Sequence, residues 1–192
     1  MIELRCKICG MIINDKNFMF NKNGIPKENT LENLKYCPFC GAKYEFLEEN
    51  NDKIIKEDNE LMDKDTIKIL DSAMKLEIFN GDFYLQASKL VNSVEVKKFF
   101  EDLSKIEIMH ARVHQRLGGF PNLPNLIKLD YRKYIKDDPD KDMIEEARKR
   151  ELHASKYYKN HAKNINHKIV TEIFNVLSEI ESDHVRMEER YL

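Results

Sequence analysis

One constellation of polar residues occurs twice in this chain at identical spacing. Glu77 is followed 30 residues later by Glu107-Ile108-Met109-His110, and Glu151, again 30 later, by Glu181-Ser182-Asp183-His184. Adding 74 to each number of the first set yields the second. Flanking positions repeat as well: Phe83-Tyr84 matches Tyr157-Tyr158, and Ala111-Arg112-Val113 matches Val185-Arg186-Met187. A self-similar unit of this kind points to a duplicated hairpin. Apolar residues around it recur at the helical period, which predicts helices over 65–91, 94–117, 140–164 and 167–191. The only breaks within each pair are Asn92-Ser93 and Asn164 to Asn166, with Ser93 and Asn166 as candidate N-caps. Between the pairs, 118–139 carries three prolines and a candidate short helix from Leu126 to Ile135. That is long for a hairpin and suits a crossover along a bundle.

Geometry then brings the polar residues together. In an antiparallel hairpin, residues equidistant from the turn lie at one height. Glu77 is level with Glu107 and His110, and Glu151 with Glu181 and His184, about 23 Å from each turn at 1.5 Å per residue. The i, i+3 spacing puts Glu and His of each ExxH on one helix face. An unpaired buried carboxylate costs at least several kcal/mol, so four that converge require cations. Two divalent ions with four carboxylates and two neutral imidazoles make a neutral site, and mixed oxygen and nitrogen donors favour iron or manganese over a thiophilic metal. Tyr84 and Tyr158, each seven residues after a helix-borne Glu, have two readings: hydrogen bonds to ligating carboxylates, or core packing.

All four cysteines lie in the first 40 of 192 residues, as Cys6-Lys7-Ile8-Cys9-Gly10 and Cys37-Pro38-Phe39-Cys40-Gly41. Two such knuckles complete a tetrahedral sulfur site for zinc or a single iron, and a unit of this size needs the metal as its staple. The domains are therefore 1–47, a metal-held unit; 48–64, a linker; and 65–192, a four-helix bundle. Net charge is −2 and no apolar run can span a bilayer, which argues against a dedicated nucleic-acid or membrane protein. The N-terminus lacks an export signal, so a cytoplasmic location is expected. With six glycines, five prolines and no tryptophan, a mainly α fold is expected.

These motifs resemble the rubrerythrins over nearly the whole chain. The knuckles look like a rubredoxin or zinc-ribbon domain, placed N-terminally as in the "reverse" members. Glu77, Glu107, His110, Glu151, Glu181 and His184 match the ligand pattern of a ferritin-like di-iron bundle, a pattern that is itself general knowledge of that fold. The resemblance implies a di-iron oxidoreductase that reduces hydrogen peroxide, with electrons from a reductase relayed through a Cys6, Cys9, Cys37, Cys40 iron centre. It also implies a homodimer in which one subunit's cysteine centre lies near the other's irons, and the long crossover permits exchanged hairpins. Two positions depart from the family. Ala154 stands where rubrerythrins usually carry a further Glu, and Met11-Ile12-Ile13 follows the first knuckle where rubredoxins usually have aromatics. Two other functions stand beside peroxide reduction: a ferroxidase or iron-handling protein acting on oxygen with a structural zinc ribbon, which these departures favour, and a non-catalytic partner-binding scaffold, against which the six matched ligands count. The remaining polar residues are read plainly. His114, one turn beyond His110, has two readings, a place behind the ligands or a solvated helix face, and the second is expected; His153, His161 and His167 receive no role; and Arg112 and Arg186 are expected to pair with acidic neighbours such as Glu188.

Overall fold

The computed structural model describes residues 3–49, 62–126 and 129–192. It is mainly helical, with a helical bundle and a small N-terminal domain that carries the four cysteines. The N-terminal domain holds three short strands, β1 (Glu3–Cys6), β2 (Ile12–Asn14) and β3 (Leu47–Glu49), in the order β2-β1-β3 with both pairings antiparallel. The bundle consists of α1 (Lys64–Ala87), α2 (Val94–Gly118), α3 (Pro139–His161) and α4 (Lys168–Glu188). Most of the 48–64 linker lies outside the described residues, as do two positions of the expected 126–135 helix; what is seen there is one 3-10 turn, Tyr131–Tyr134.

The helix ends are set by side chains that satisfy the first free amides. Asp63 accepts from Asp65 and Thr66 at the start of α1, Ser93 from Val96 at α2, and Asp138 from Asp140 and Lys141 at α3, where Pro139 occupies the first turn. His167, not Asn166, caps α4, its Nδ1 accepting from Val170 N. Helix α1 stops at Ala87, four residues short of the expected end, because the next residues turn so that the Asn92 and Ser93 amides meet the Asp140 carboxylate at 2.6 and 3.1 Å. That contact ties the α1–α2 turn to the start of α3. The crossover therefore climbs the bundle, and it is anchored where Tyr131 packs edge-on to Phe83, with the Arg150 guanidinium 4.4 Å from the Phe83 ring centre.

Two apolar clusters fill the molecule. One surrounds Phe83, Phe99, Phe100, Leu103 and Ile144 near the α1–α2 turn. The other joins Leu70, Val113, Phe174 and Ile180 of the bundle to Ile8, Ile13, Phe39 and the cysteines, so the two domains share a core. The N-terminal domain lies along α2 and α4. Arg116 donates to the carbonyls of Ile8 and Cys9, Asn23 donates to Asp102, and Lys43 pairs with Glu179. Two glycines make the approach close. A Cβ on Gly24 would stand 2.8 Å from Ile106 Cδ1, and one on Gly41 would stand 3.2 Å from Ile180 Cγ2.

Candidate metal centres

Both knuckles turn the same way. Gly10 and Gly41 hold φ of +79° and +77°, which only glycine adopts without strain. Their amides return to the Cys6 and Cys37 carbonyls at 2.8 and 2.9 Å. All four cysteines are buried and none is disulfide-bonded. Cys6 Sγ lies 3.7 Å from Cys40 Sγ, and Cys9 Sγ lies 3.7 Å from Cys37 Sγ. A tetrahedral metal at about 2.3 Å from each sulfur sets these edges at about 3.8 Å, so the four sulfurs fit a metal as they stand. Burial holds the Cys37 and Cys40 thiols well above their ordinary range, while hydrogen bonding, first from Cys37, lowers Cys6. Binding a cation as thiolates removes that mismatch.

The second centre lies in the bundle between the two apolar clusters. Glu77 comes from α1, Glu107 and His110 from α2, Glu151 from α3, Glu181 and His184 from α4, and none is more than 1% exposed. They form two overlapping groups whose donor atoms lie within 4.8 Å of one another: Glu77, Glu107, His110 and Glu181; and Glu107, Glu151, Glu181 and His184. Glu107 and Glu181, which are equivalent in the duplication, belong to both. The arrangement therefore has two shared carboxylates in the middle and one Glu and one His at each end. Each histidine turns Nδ1 inward, His110 to 3.2 Å from Glu181 and His184 to 3.1 Å from the same residue.

The electrostatics call for cations. Both oxygens of Glu107 and one each of Glu77, Glu151 and Glu181 have no hydrogen-bond partner, nor does His110 Nδ1. Burial, then the neighbouring carboxylates, pushes Glu77, Glu107 and Glu181 well above the usual carboxyl range. Burial opposes charge on His184, yet Glu151 and Glu107 raise it to about 9. Burial pushes Glu151 up, but His184, Glu181 and Tyr84 together outweigh it, so Glu151 is lowered. Buried orphaned oxygens of this number are a fitting donor set for two divalent ions.

Both tyrosines hydrogen-bond to carboxylates of the cluster, and they do so across the halves of the bundle. Tyr84 of the first hairpin donates to Glu151 of the second, and Tyr158 of the second donates to Glu77 of the first. Each hydroxyl has a further partner that the sequence reading missed. Tyr84 meets Glu188 Oε1 at 3.0 Å, and Tyr158 meets His114 Nε2 at 2.7 Å. His114 is thus fully buried against Tyr158 and Phe174, not on a solvated face, and burial lowers its pKa to about 3. Glu188 is likewise fully buried, so Arg186 pairs with Asp183 instead. The duplication held the missing signal, since 114 plus 74 is 188. Arg112 and His153 are exposed, and His161 lies against the Tyr157 ring, away from the cluster.

One contact joins the two centres. His110 Nε2 lies 2.9 Å from the carbonyl oxygen of Cys40, within the same chain. With Nδ1 facing the carboxylates, Nε2 carries the proton and donates, the outer hydrogen bond that fixes a ligating imidazole.

These features define a class: a helical bundle with a buried four-carboxylate, two-histidine cluster, joined to a small domain with a four-cysteine cluster that could hold a metal. Searches against known families, curated proteins and solved structures return no match for the chain. Among the described residues, no helix is long and apolar enough to cross a membrane.

Proposed function

We propose that the chain is a rubrerythrin-like, non-haem di-iron oxidoreductase that reduces hydrogen peroxide to water: H2O2 + 2 e− + 2 H+ → 2 H2O. The observation that carries this reading is the His110 to Cys40 hydrogen bond, which links a cluster able to hold two redox metals to a cysteine of a site able to hold one more. Iron at the carboxylate cluster would supply the electron pair that cleaves the O–O bond, and iron at the four cysteines would carry electrons in from a reductase. In this scheme Glu107 and Glu181 would help to hold both metals, with Glu77 and His110 completing the donor set for one and Glu151 and His184 that for the other. Tyr84 and Tyr158 keep Glu151 and Glu77 in place, and the Cys40 carbonyl aligns His110. Because that contact is made inside one chain, the proposed relay does not depend on a second subunit.

The test is metal analysis of protein purified without oxygen, followed by rapid mixing of the reduced form with peroxide. Iron at both centres, with thiolate-to-iron absorption returning as peroxide is consumed, is the expected result. Zinc at the cysteines, with fast oxidation of added Fe(II) by oxygen and slow peroxide turnover, would instead establish the ferroxidase reading. That second reading is favoured by Ala154, a buried methyl group where rubrerythrins carry a carboxylate.

A further inference from the structure

The duplication makes the two hairpin seams comparable position by position, and they differ. Gly81, Leu85, Ser104 and Ile108 of the α1–α2 seam correspond to Ser155, Lys159, Ser178 and Ser182 of the α3–α4 seam, each offset by 74. The cross-link between the helices is kept: Ser104 Oγ donates to the Gly81 carbonyl at 2.8 Å, and Ser178 Oγ to the Ser155 carbonyl at 3.0 Å. The chemistry around it is not kept.

The α1–α2 seam is plugged. Ile108 lies on the bare backbone of Gly81, its Cδ1 2.9 Å from where a Cβ would stand, and the outer pocket of about 190 Å³ is bordered by Ile78, Leu85, Pro124 and Leu126. In the α3–α4 seam a serine replaces the plug. Ser155 Oγ lies 2.9 Å from Ser182 Oγ and 3.3 Å from Ser178 Oγ, and Ser182 Oγ donates to the Ser178 carbonyl at 2.8 Å. These three hydroxyls line an open cleft of about 560 Å³ whose rim carries Lys43, Lys159, Glu179 and Arg186.

The helix turns that carry these serines also carry two ligands of the cluster. Ser155 is one helical turn beyond Glu151, Ser178 is three residues before Glu181, and Ser182 adjoins Glu181. Glu151 Oε2 and Glu181 Oε1 are both buried without a hydrogen-bond partner. Other sides are covered: the cysteine domain lies on α2 and α4, and Tyr157 reaches from α3 to the Ile69 carbonyl of α1. With all six ligands of the cluster shielded from solvent, a reactant has to pass between side chains. Ser178 and Ser182 give their protons to carbonyls of the seam, so toward a passing molecule they accept, which suits a small neutral hydrogen-bond donor and does not suit dioxygen, which has no proton to give.

We propose that the α3–α4 seam is the port through which hydrogen peroxide enters and water leaves, with Ser155, Ser178 and Ser182 as its lining. The choice of peroxide rests on the function proposed above. The test transplants the closed seam onto the open one in the full, iron-loaded chain, as Ser155→Gly with Ser182→Ile. Two rates are followed by stopped-flow absorbance: sodium azide binding to the oxidised cluster, and reoxidation of the reduced cluster by peroxide. Both should fall at least tenfold, while iron content and the final azide spectrum match the unmodified protein. Ser182→Val, a smaller change, should slow both rates in the same direction and serves if the double variant misfolds. Unchanged azide kinetics in the transplanted seam, or slowing by Ile108→Phe instead, would overturn the proposal. If the unmodified protein binds azide but does not react with peroxide, the peroxidase reading fails while the azide rates still decide the port.

Discussion

Tyr158 has one proton to give and two buried partners. It donates to Glu77, so His114 must use its own Nε2–H toward the tyrosine oxygen. The chain His114 to Tyr158 to Glu77 is therefore directed, with a neutral imidazole, in keeping with a pKa of about 3. On the other side one hydroxyl meets two carboxyl groups, Glu151 and Glu188, and this requires a proton on Glu188, whose pKa burial drives well upward. The two ends of the cluster are alike in their ligands and differ in what stands behind the tyrosines. Tyr158→Phe strands His114 and one oxygen of Glu77, and it is expected to lower stability by about 1–3 kcal/mol in urea denaturation. Adding His114→Leu should recover part of that loss, because an apolar pair leaves no stranded imidazole. A Tyr158→Phe midpoint equal to that of the unmodified protein would show that the directed chain carries no weight. Residues of this kind were legible only through the repeat. His114 taken alone reads as one of many polar residues on a charged helix, and its burial depends on Phe174 and Tyr158, distant in sequence.

At the scale of elements, periodicity located the four helices because each buries one stripe, and the knuckles declared themselves because Gly10 and Gly41 must adopt positive φ. The ends of helices were less legible where tertiary contacts choose them. Asp140 draws the α1–α2 turn toward α3, and His167 displaces Asn166 as a cap. The expected 126–135 helix shows the same effect: Tyr131 is held between Phe83 and Arg150, which favours a short 3-10 turn there. The docking of the small domain was not legible at all, since nothing in Asn23-Gly24 announces its partner on α2. Its tightness gives a prediction. Gly24→Ala drives a methyl group against Ile106 and the Asp102 backbone, at 2.8 and 3.3 Å, and should destabilise the protein by about 1–3 kcal/mol. Arg116→Met removes both hydrogen bonds to the first knuckle and should lower the unfolding temperature in the same direction. With iron loaded at the cysteines, the thiolate-to-iron absorption should stay unchanged in both, because neither alters a sulfur. Full stability in Gly24→Ala, measured by calorimetry, would mean that the two domains do not pack as closely as the structure places them.

For the whole molecule, the buried cluster couples folding to pH, and the sign depends on whether metal is present. In protein stripped by a chelator, Glu77, Glu107, Glu181 and Glu188 have folded pKa values well above the ordinary 4.5, and His184 rises from 6.5 to about 9. A group with a raised folded pKa binds more protons folded than unfolded, so its stabilisation is complete below the unfolded value and is lost as pH climbs through the folded one. Glu151, His114 and Cys6 act in the opposite sense, since their values are lowered, and the raised groups outnumber them. The Cys37 and Cys40 thiols, raised above 9, stay protonated in both states at neutral pH and add little slope. The stripped protein should therefore lose stability steadily from about pH 5 to pH 9. Bound divalent ions replace those protons, hold the carboxylates as anions and bind more tightly as pH rises. Calorimetric unfolding temperatures should diverge accordingly, falling with pH for the stripped form and holding level or rising for the loaded form between pH 6 and 8. A stripped protein whose unfolding temperature rises over that range would mean that the four carboxylates are not buried together, and the metal-binding reading of the bundle would fail with it.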